Sequence, residues 1–289
     1  MKNSLFSGVC TALVTPFLNQ DVDYPMLEQL LKRQIDAQIE AVVICGTTGE
    51  APTLSDQEKV TLFSRAKDYV KEQCLVIAGT GSNCTEHAIQ LSIAAEEVGA
   101  DALLVVSPYY NKATADGLYR HYRSIADAVH IPIILYNVPS RTGLDIPVSV
   151  YQKLSEIPNI IGVKEASTDI SKITRIYAAC PADFVVWSGN DDQAVAAMAL
   201  GAQGVISVTS NVVPLEMQLM AQAALEGDFD SAADLQRKLL PLTELLFCEV
   251  NPVPVKAAMQ YIGYDCGECR LPLGTLSEQS RKRLEAYFS

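Results

Sequence analysis

Eight short apolar runs, most of them free of polar alternation and separated by helix-patterned segments, predict an α/β chain: an eight-stranded parallel (β/α)8 TIM barrel with a C-terminal helical appendage. Missing alternation marks parallel strands that are buried on both faces. Even spacing of eight such runs between residues 8 and 210 suits a closed barrel better than a doubly wound sheet, which remains the alternative.

The elements follow in order. The run GVCTALVTPF (8–17) leads to Asp23 and Pro25, which open a helix with Met26, Leu27, Leu30, Leu31 and Ile35 on one face. After AVVICG (41–46), Ser55 and Glu58 have the S-x-x-E form of a capping box ahead of Val60, Phe63 and Val70. After LVIAGT (75–80), Thr85 is the expected N-cap ahead of Ala88, Leu91, Ala95 and Val98, and Gly99 closes that helix. The runs ALLVVSPYY (102–110), IPIILYNVP (131–139), IIGVKEA (160–166), FVVWSGN (184–190) and GVISVTS (204–210) complete the set. Beyond residue 225 the strand signal stops. GDFDSAADLQRKLLPLTELLF, NPVPVKAAMQYIGY and SEQSRKRLEAYF read as helices, with Pro241 predicted to kink the first. The expected organisation is a catalytic barrel over 1–225 and a helical region over 226–289, with no Gly/Ser-rich linker to let them move apart.

Composition narrows the function. With 22 basic and 34 acidic side chains in 289 residues the net charge is −12, which disfavours binding to a phosphate backbone and so excludes nucleic acid as an expected partner. No run reaches the ~18 apolar residues of a membrane span, and the N-terminal stretch lacks the pattern of a secretory leader. A soluble, cytoplasmic protein without a membrane partner is expected. Eight scattered cysteines, several inside apolar runs, suggest reduced buried thiols. Cys266 and Cys269 have the spacing of half a zinc or redox motif, but no second pair accompanies them, so they are read as incidental. His87, His121 and His130 form no metal-ligand spacing and are expected at the surface or at helix ends.

Barrel chemistry comes from the carboxyl ends of strands and the loops after them. Those ends supply Thr47, Thr48, Glu50, Tyr109, Tyr110, Tyr136, Arg141, Lys164, Glu165, Gly189, Ile206 and Ser207. Lys164 ends an apolar strand, where burial disfavours its ammonium and leaves neutral amine to attack a ketone and form an imine. A snorkelling lysine or a pair with Glu165 is the alternative. Glu165 is poorly placed for that pair, because adjacent strand residues face opposite ways. The glycines of CGTTGE (45–50) permit a turn whose N–H groups suit a carboxylate or phosphate, or merely an ordinary strand-to-helix turn. In YNVPSRTG (136–143), Tyr136 can move a proton and Arg141 can hold a carboxylate; a core tyrosine and an interface arginine are equally allowed. Tyr109 and Tyr110 should diverge, one toward a site and one toward a subunit contact or loop packing.

Together and in this order, GTTGE, SPYYN, YNVPSRTG, IIGVKEA and GVISVTSN resemble the dihydrodipicolinate synthase (4-hydroxy-tetrahydrodipicolinate synthase) family. This family lies within the N-acetylneuraminate lyase superfamily of pyruvate-dependent aldolases. The resemblance runs from about residue 5 to the end. Arg141 within YNVPSRTG favours the synthases over N-acetylneuraminate lyase or another 2-keto-3-deoxy acid aldolase, the alternative. The resemblance implies condensation of pyruvate with L-aspartate 4-semialdehyde in lysine biosynthesis by the diaminopimelate route. Lys164 would form the imine, Tyr136 would transfer protons over it, and Thr47 would link Tyr136 to Tyr110 of a neighbouring subunit. Thr48 would bind pyruvate's carboxylate, Arg141 that of the semialdehyde, and Gly189 and Ile206 would line the site through their carbonyls. No metal or organic cofactor is implied, since the protonated imine is the electron sink. A homodimer, commonly paired into a homotetramer, is implied as well.

Many relatives are inhibited by lysine at the dimer interface, in a pocket that maps onto Ala51, Pro52, Asp56, Lys59, Asn83, His87 and Tyr109. In sensitive members the position of Lys59 usually holds His or Glu, and that of His87 a Glu. The exchange for Lys59 and His87 implies weak lysine inhibition or none.

Overall fold

Side chains of the predicted runs sort into two apolar layers, one inside a ring of strands and one between the ring and its helices. The computed structural model describes residues 5–289; residues 1–4 of the predicted barrel range lie outside the described residues. Strands β1 (Gly8–Ala12), β2 (Ala41–Ile44), β3 (Leu75–Gly79), β4 (Ala102–Val106), β5 (Ile133–Asn137), β6 (Ile160–Glu165), β7 (Val185–Ser188) and β8 (Gly204–Ser207) pair in chain order. All pairs within the barrel are parallel and β1 closes on β8, so the doubly wound alternative is excluded. Helices α1 (Tyr24–Asp36), α2 (Asp56–Val70), α3 (Thr85–Glu97), α4 (Ala115–Ala128), α5 (Val148–Leu154), α6 (Ser171–Ala179), α7 (Ala194–Ala199) and α8 (Pro214–Leu225) follow the strands in turn. Then come α9 (Phe229–Leu246), α10 (Val253–Tyr261) and α11 (Glu278–Phe288). Pro241 lies inside α9 without ending it. Among the described residues no helix is long and apolar enough to cross a membrane.

Local signals hold where the partners are close in sequence. Asp23 accepts from the Met26 amide, and Ser55 and Glu58 form both bonds of the capping box. Gly99 follows α3 at φ +84, a conformation that glycine adopts without strain. Thr85 departs from expectation. It is already the first helical residue, Cys84 occupies the cap without a side-chain bond, and the Thr85 hydroxyl bonds His121 Nδ1 at 2.9 Å. That contact places His121 inside, not at the surface or a helix end: it lies on the buried face of α4, and burial pushes its pKa down to about 4.

One irregularity decides which residues face the barrel axis. Pairing between β5 and β6 steps from Ile133 with Ile160 to Ile134 with Gly162, so Ile161 is an extra residue in β6. In a period-two strand an extra residue exchanges the two faces for everything after it. Beyond the bulge, Val163 packs in the outer layer while Lys164 pairs with the inward Tyr136 on one side and Trp187 on the other. Glu165 is thereby turned outward. Without the bulge, Val163 and Glu165 would face the axis.

The tail is tied to the loop after β2. Glu50, one of the residues at the end of the second predicted strand, is committed to the tail: its Oε1 pairs with Lys256 Nζ at 3.0 Å and its Oε2 accepts from the Arg270 amide at 2.9 Å. Both members of the Lys256 pair are buried. Lys256 and Arg270 also lie 4.3 and 4.4 Å from the Phe17 ring centroid. The Arg270 guanidinium bonds Glu58 and holds its carboxyl down at about 2.

Candidate active site

Lys164 is 5% exposed and its Nζ lies 4.5 Å from the centroid of the Tyr136 ring. Among the described residues it makes no ion pair, so the Glu165 alternative fails on geometry. Glu165 accepts from Asn137 Nδ2 at 2.8 Å, Tyr151 Oη at 3.2 Å and the Ser167 amide at 2.8 Å, and its cationic neighbour is Lys172 at 3.5 Å. Lys172 also pairs with Asp145. This outer network clamps the ends of β5 and β6 through Asn137 and Glu165, the immediate neighbours of Tyr136 and Lys164. Gly189 leaves room for the lysine stem: a Cβ there would stand 3.0 Å from Lys164 Cε and 2.5 Å from the Ala166 Cβ.

A cavity of about 600 Å3 opens above Tyr136 and is lined by Thr47, Tyr136 and Arg141. Lys164 does not line it directly but lies against Tyr136, which does. Ala51, Pro52, Asp56, Lys59, His87 and Tyr109 line the same cavity, so the two predicted sites are continuous within one chain. Asn83 is not on that lining; its carbonyl accepts from Asn111 at 2.9 Å. Asp56 is shared, with His87 Nε2 at 2.9 Å and Lys59 Nζ at 3.3 Å, and the His87 bond followed by Lys59 lowers its pKa.

Thr48 and Ile206 are buried, Ile206 within the inner layer that also holds Tyr136. The turn that carries Thr47 and Thr48 differs from the expected one. Its left-handed residues are Cys45 at φ +57 and Glu50 at φ +56. Gly49 serves close approach, since a Cβ there would lie 3.1 Å from the Cys45 nitrogen. Asn251, which sequence reasoning missed, donates from Nδ2 to Thr48 Oγ1 at 2.9 Å and accepts at its backbone carbonyl from Arg141 Nη2 at 3.3 Å. Arg141 is otherwise exposed at the mouth.

Tyr109 and Tyr110 diverge. Tyr109 turns to the cavity; Tyr110, held at φ +71, is 91% exposed. All eight cysteines are free, and Cys84 is exposed rather than buried. Burial pushes Cys266 and Cys269 up to about 12, which disfavours their thiolates. No cluster of three or more His, Cys, Asp or Glu suited to a metal occurs among the described residues.

A profile of the Dihydrodipicolinate synthetase family matches residues 5–289. The 4-hydroxy-tetrahydrodipicolinate synthase of Acetivibrio thermocellus is 46% identical over 280 residues, covering 97% of this chain and 95% of that protein. Among solved structures, dihydrodipicolinate synthase from Aquifex aeolicus superposes with a TM-score of 0.96 at 44% identity, covering 98% of this chain and 97% of that one. The chloride-inhibited dihydrodipicolinate synthase from Acinetobacter baumannii complexed with pyruvate superposes with a TM-score of 0.95 at 43% identity, covering 97% of each chain.

Proposed function

The chain belongs to the Dihydrodipicolinate synthetase family, and on that premise we propose that its cavity condenses pyruvate with L-aspartate 4-semialdehyde through an imine on Lys164. The product is 4-hydroxy-tetrahydrodipicolinate, in the diaminopimelate route to lysine. The observation that carries the mechanism is a lysine with no ion pair among the described residues, on the same inward face as a tyrosine whose ring centroid is 4.5 Å away. The lyase alternative has no comparable support, because the relatives bear the synthase name.

The amine of Lys164 attacks C2 of pyruvate, and loss of water leaves an iminium. A methyl proton then leaves, and the enamine forms a carbon–carbon bond with the aldehyde carbon, whose oxygen takes a proton. Finally the amine of the semialdehyde portion attacks the iminium carbon, closes the ring and releases Lys164. Each proton passes between groups that both give and accept, and hydroxyl and phenol side chains suit that task. Tyr136 and Thr47 line the cavity for it, with Tyr110 of a second copy completing the relay. Thr48 holds the carboxylate of pyruvate, Arg141 holds that of the semialdehyde, and the carbonyls of Gly189 and Ile206 face the reacting centre. Borohydride reduction with pyruvate, followed by peptide mass mapping, should add one pyruvate-derived group to Lys164. An adduct on another lysine, or none, would sink the mechanism.

Lysine should inhibit this protein weakly or not at all. A bound lysine's ammonium would meet Lys59 and His87, and Asp56, the nearby anion, already serves both. Two like charges 4–5 Å apart repel by roughly 3–4 kcal/mol at an effective dielectric near 20, which weakens binding by about two orders of magnitude. Titrating L-lysine at subsaturating pyruvate tests this. Half-inhibition below about 1 mM, near −4 kcal/mol of binding, would show that the pocket works despite the exchange.

A further inference from the structure

Asn251 precedes α10 in the tail, yet it touches two residues assigned above to the substrates. Its side-chain amide reaches Thr48 and its backbone carbonyl receives Arg141. It is 5% exposed, and its Oδ1 has no hydrogen-bond partner among the described residues. The direction of the Thr48 bond carries the inference. A threonine hydroxyl has one proton and two lone pairs. With an amide N–H on a lone pair, the proton is left for an acceptor, and the bond received polarises the hydroxyl as a donor. A substrate carboxylate is such an acceptor.

We propose that Asn251 is a positioning residue for the keto-acid substrate, setting the Thr48 hydroxyl as a donor toward its carboxylate. This rests on the pyruvate reading above. Arg141 is held by the backbone of Asn251, so the side chain acts on one substrate and not on the other.

Steady-state kinetics in both substrates for Asn251→Ala and Asn251→Asp test it. Aspartate keeps the shape, but its carboxylate only accepts, so it draws the Thr48 proton toward residue 251 and sets a negative charge near that of the substrate. A packing role predicts that aspartate is the milder change; the positioning role predicts the reverse. The apparent KM for pyruvate should rise about tenfold in Asn251→Ala and about a hundredfold in Asn251→Asp. The KM for the semialdehyde should stay within about threefold in both. Once Thr48→Val has removed the hydroxyl, Asn251→Ala should add less than about twofold to the pyruvate KM. If Asn251→Ala fails to melt cooperatively, Asn251→Ser, which also lacks the amide, replaces it. An aspartate effect no larger than that of alanine, parallel rises in both KM values, or full additivity with Thr48→Val would each overturn the proposal. Wild-type protein without a trapped adduct on Lys164 would instead be a failure of the underlying reaction, and that result is obtained before any variant is made.

Discussion

Subunits carrying Tyr110→Phe, mixed with subunits carrying Lys164→Arg, should regain activity that neither has alone. Lys164→Arg removes the amine that forms the imine, and a loss of about a thousandfold or more is expected. Tyr110→Phe removes a hydroxyl that has no hydrogen-bond partner among the described residues: Tyr110 is 91% exposed and its backbone is held at φ +71. A bulky residue in the left-handed region stores strain, and such strain commonly marks a functional position. If the phenol completes the relay of a second copy, a mixed dimer has one site with both Lys164 and Tyr110 and one site with neither. Random exchange makes half the dimers mixed, so about a quarter of wild-type activity should return. Size-exclusion chromatography or tagged co-purification establishes the exchange. Exchange without recovered activity would mean that Tyr110 serves its own chain or none.

What the sequence reveals about this molecule depends on the distance over which each feature is decided. The Asp23 cap and the Ser55 capping box need partners three residues away, and both form as expected. Thr85 shows the limit of such local rules, because its hydroxyl is taken by His121, 36 residues along the chain. The inward aim of Lys164 depends on the bulge at Ile161, and its one visible trace is Gly162, an isolated glycine in a strand pattern. Alternation within IIGVKE separates Lys164 from Glu165 correctly, yet it cannot tell which of them faces the axis. Glu50 follows Thr47 and Thr48 on one strand-end loop, which says nothing of where its carboxylate goes. Its partners, Lys256 and Arg270, lie more than 200 residues away in the tail. Asn251 is hidden for the same reason, being 203 residues from Thr48.

The tail's attachment predicts the largest loss of stability. Lys256→Met should lower the free energy of unfolding by about 3–5 kcal/mol, because it strands the Glu50 carboxylate in a dry site. The pair is nearly inaccessible, with side-chain exposures of 2% for Lys256 and 0% for Glu50. Methionine keeps much of the lysine stem's volume, so lost packing contributes little. Lys256 also donates to the Glu268 carbonyl at 3.2 Å and lies over Phe17, contacts worth less than the stranded charge. The double variant Lys256→Met with Glu50→Gln separates these contributions. Glutamine's carbonyl can still accept from the Arg270 amide and carries no charge, so at least half of the loss should return. Urea unfolding at pH 7 provides the measurement. A loss under about 1 kcal/mol in the single variant, or no recovery in the double, would mean that the tail is held by its apolar contacts alone. Asn251 and Lys256 belong to the same stretch of tail. Loosening the Lys256 pair should therefore also raise the pyruvate KM before the barrel unfolds, an effect visible at urea concentrations below the transition.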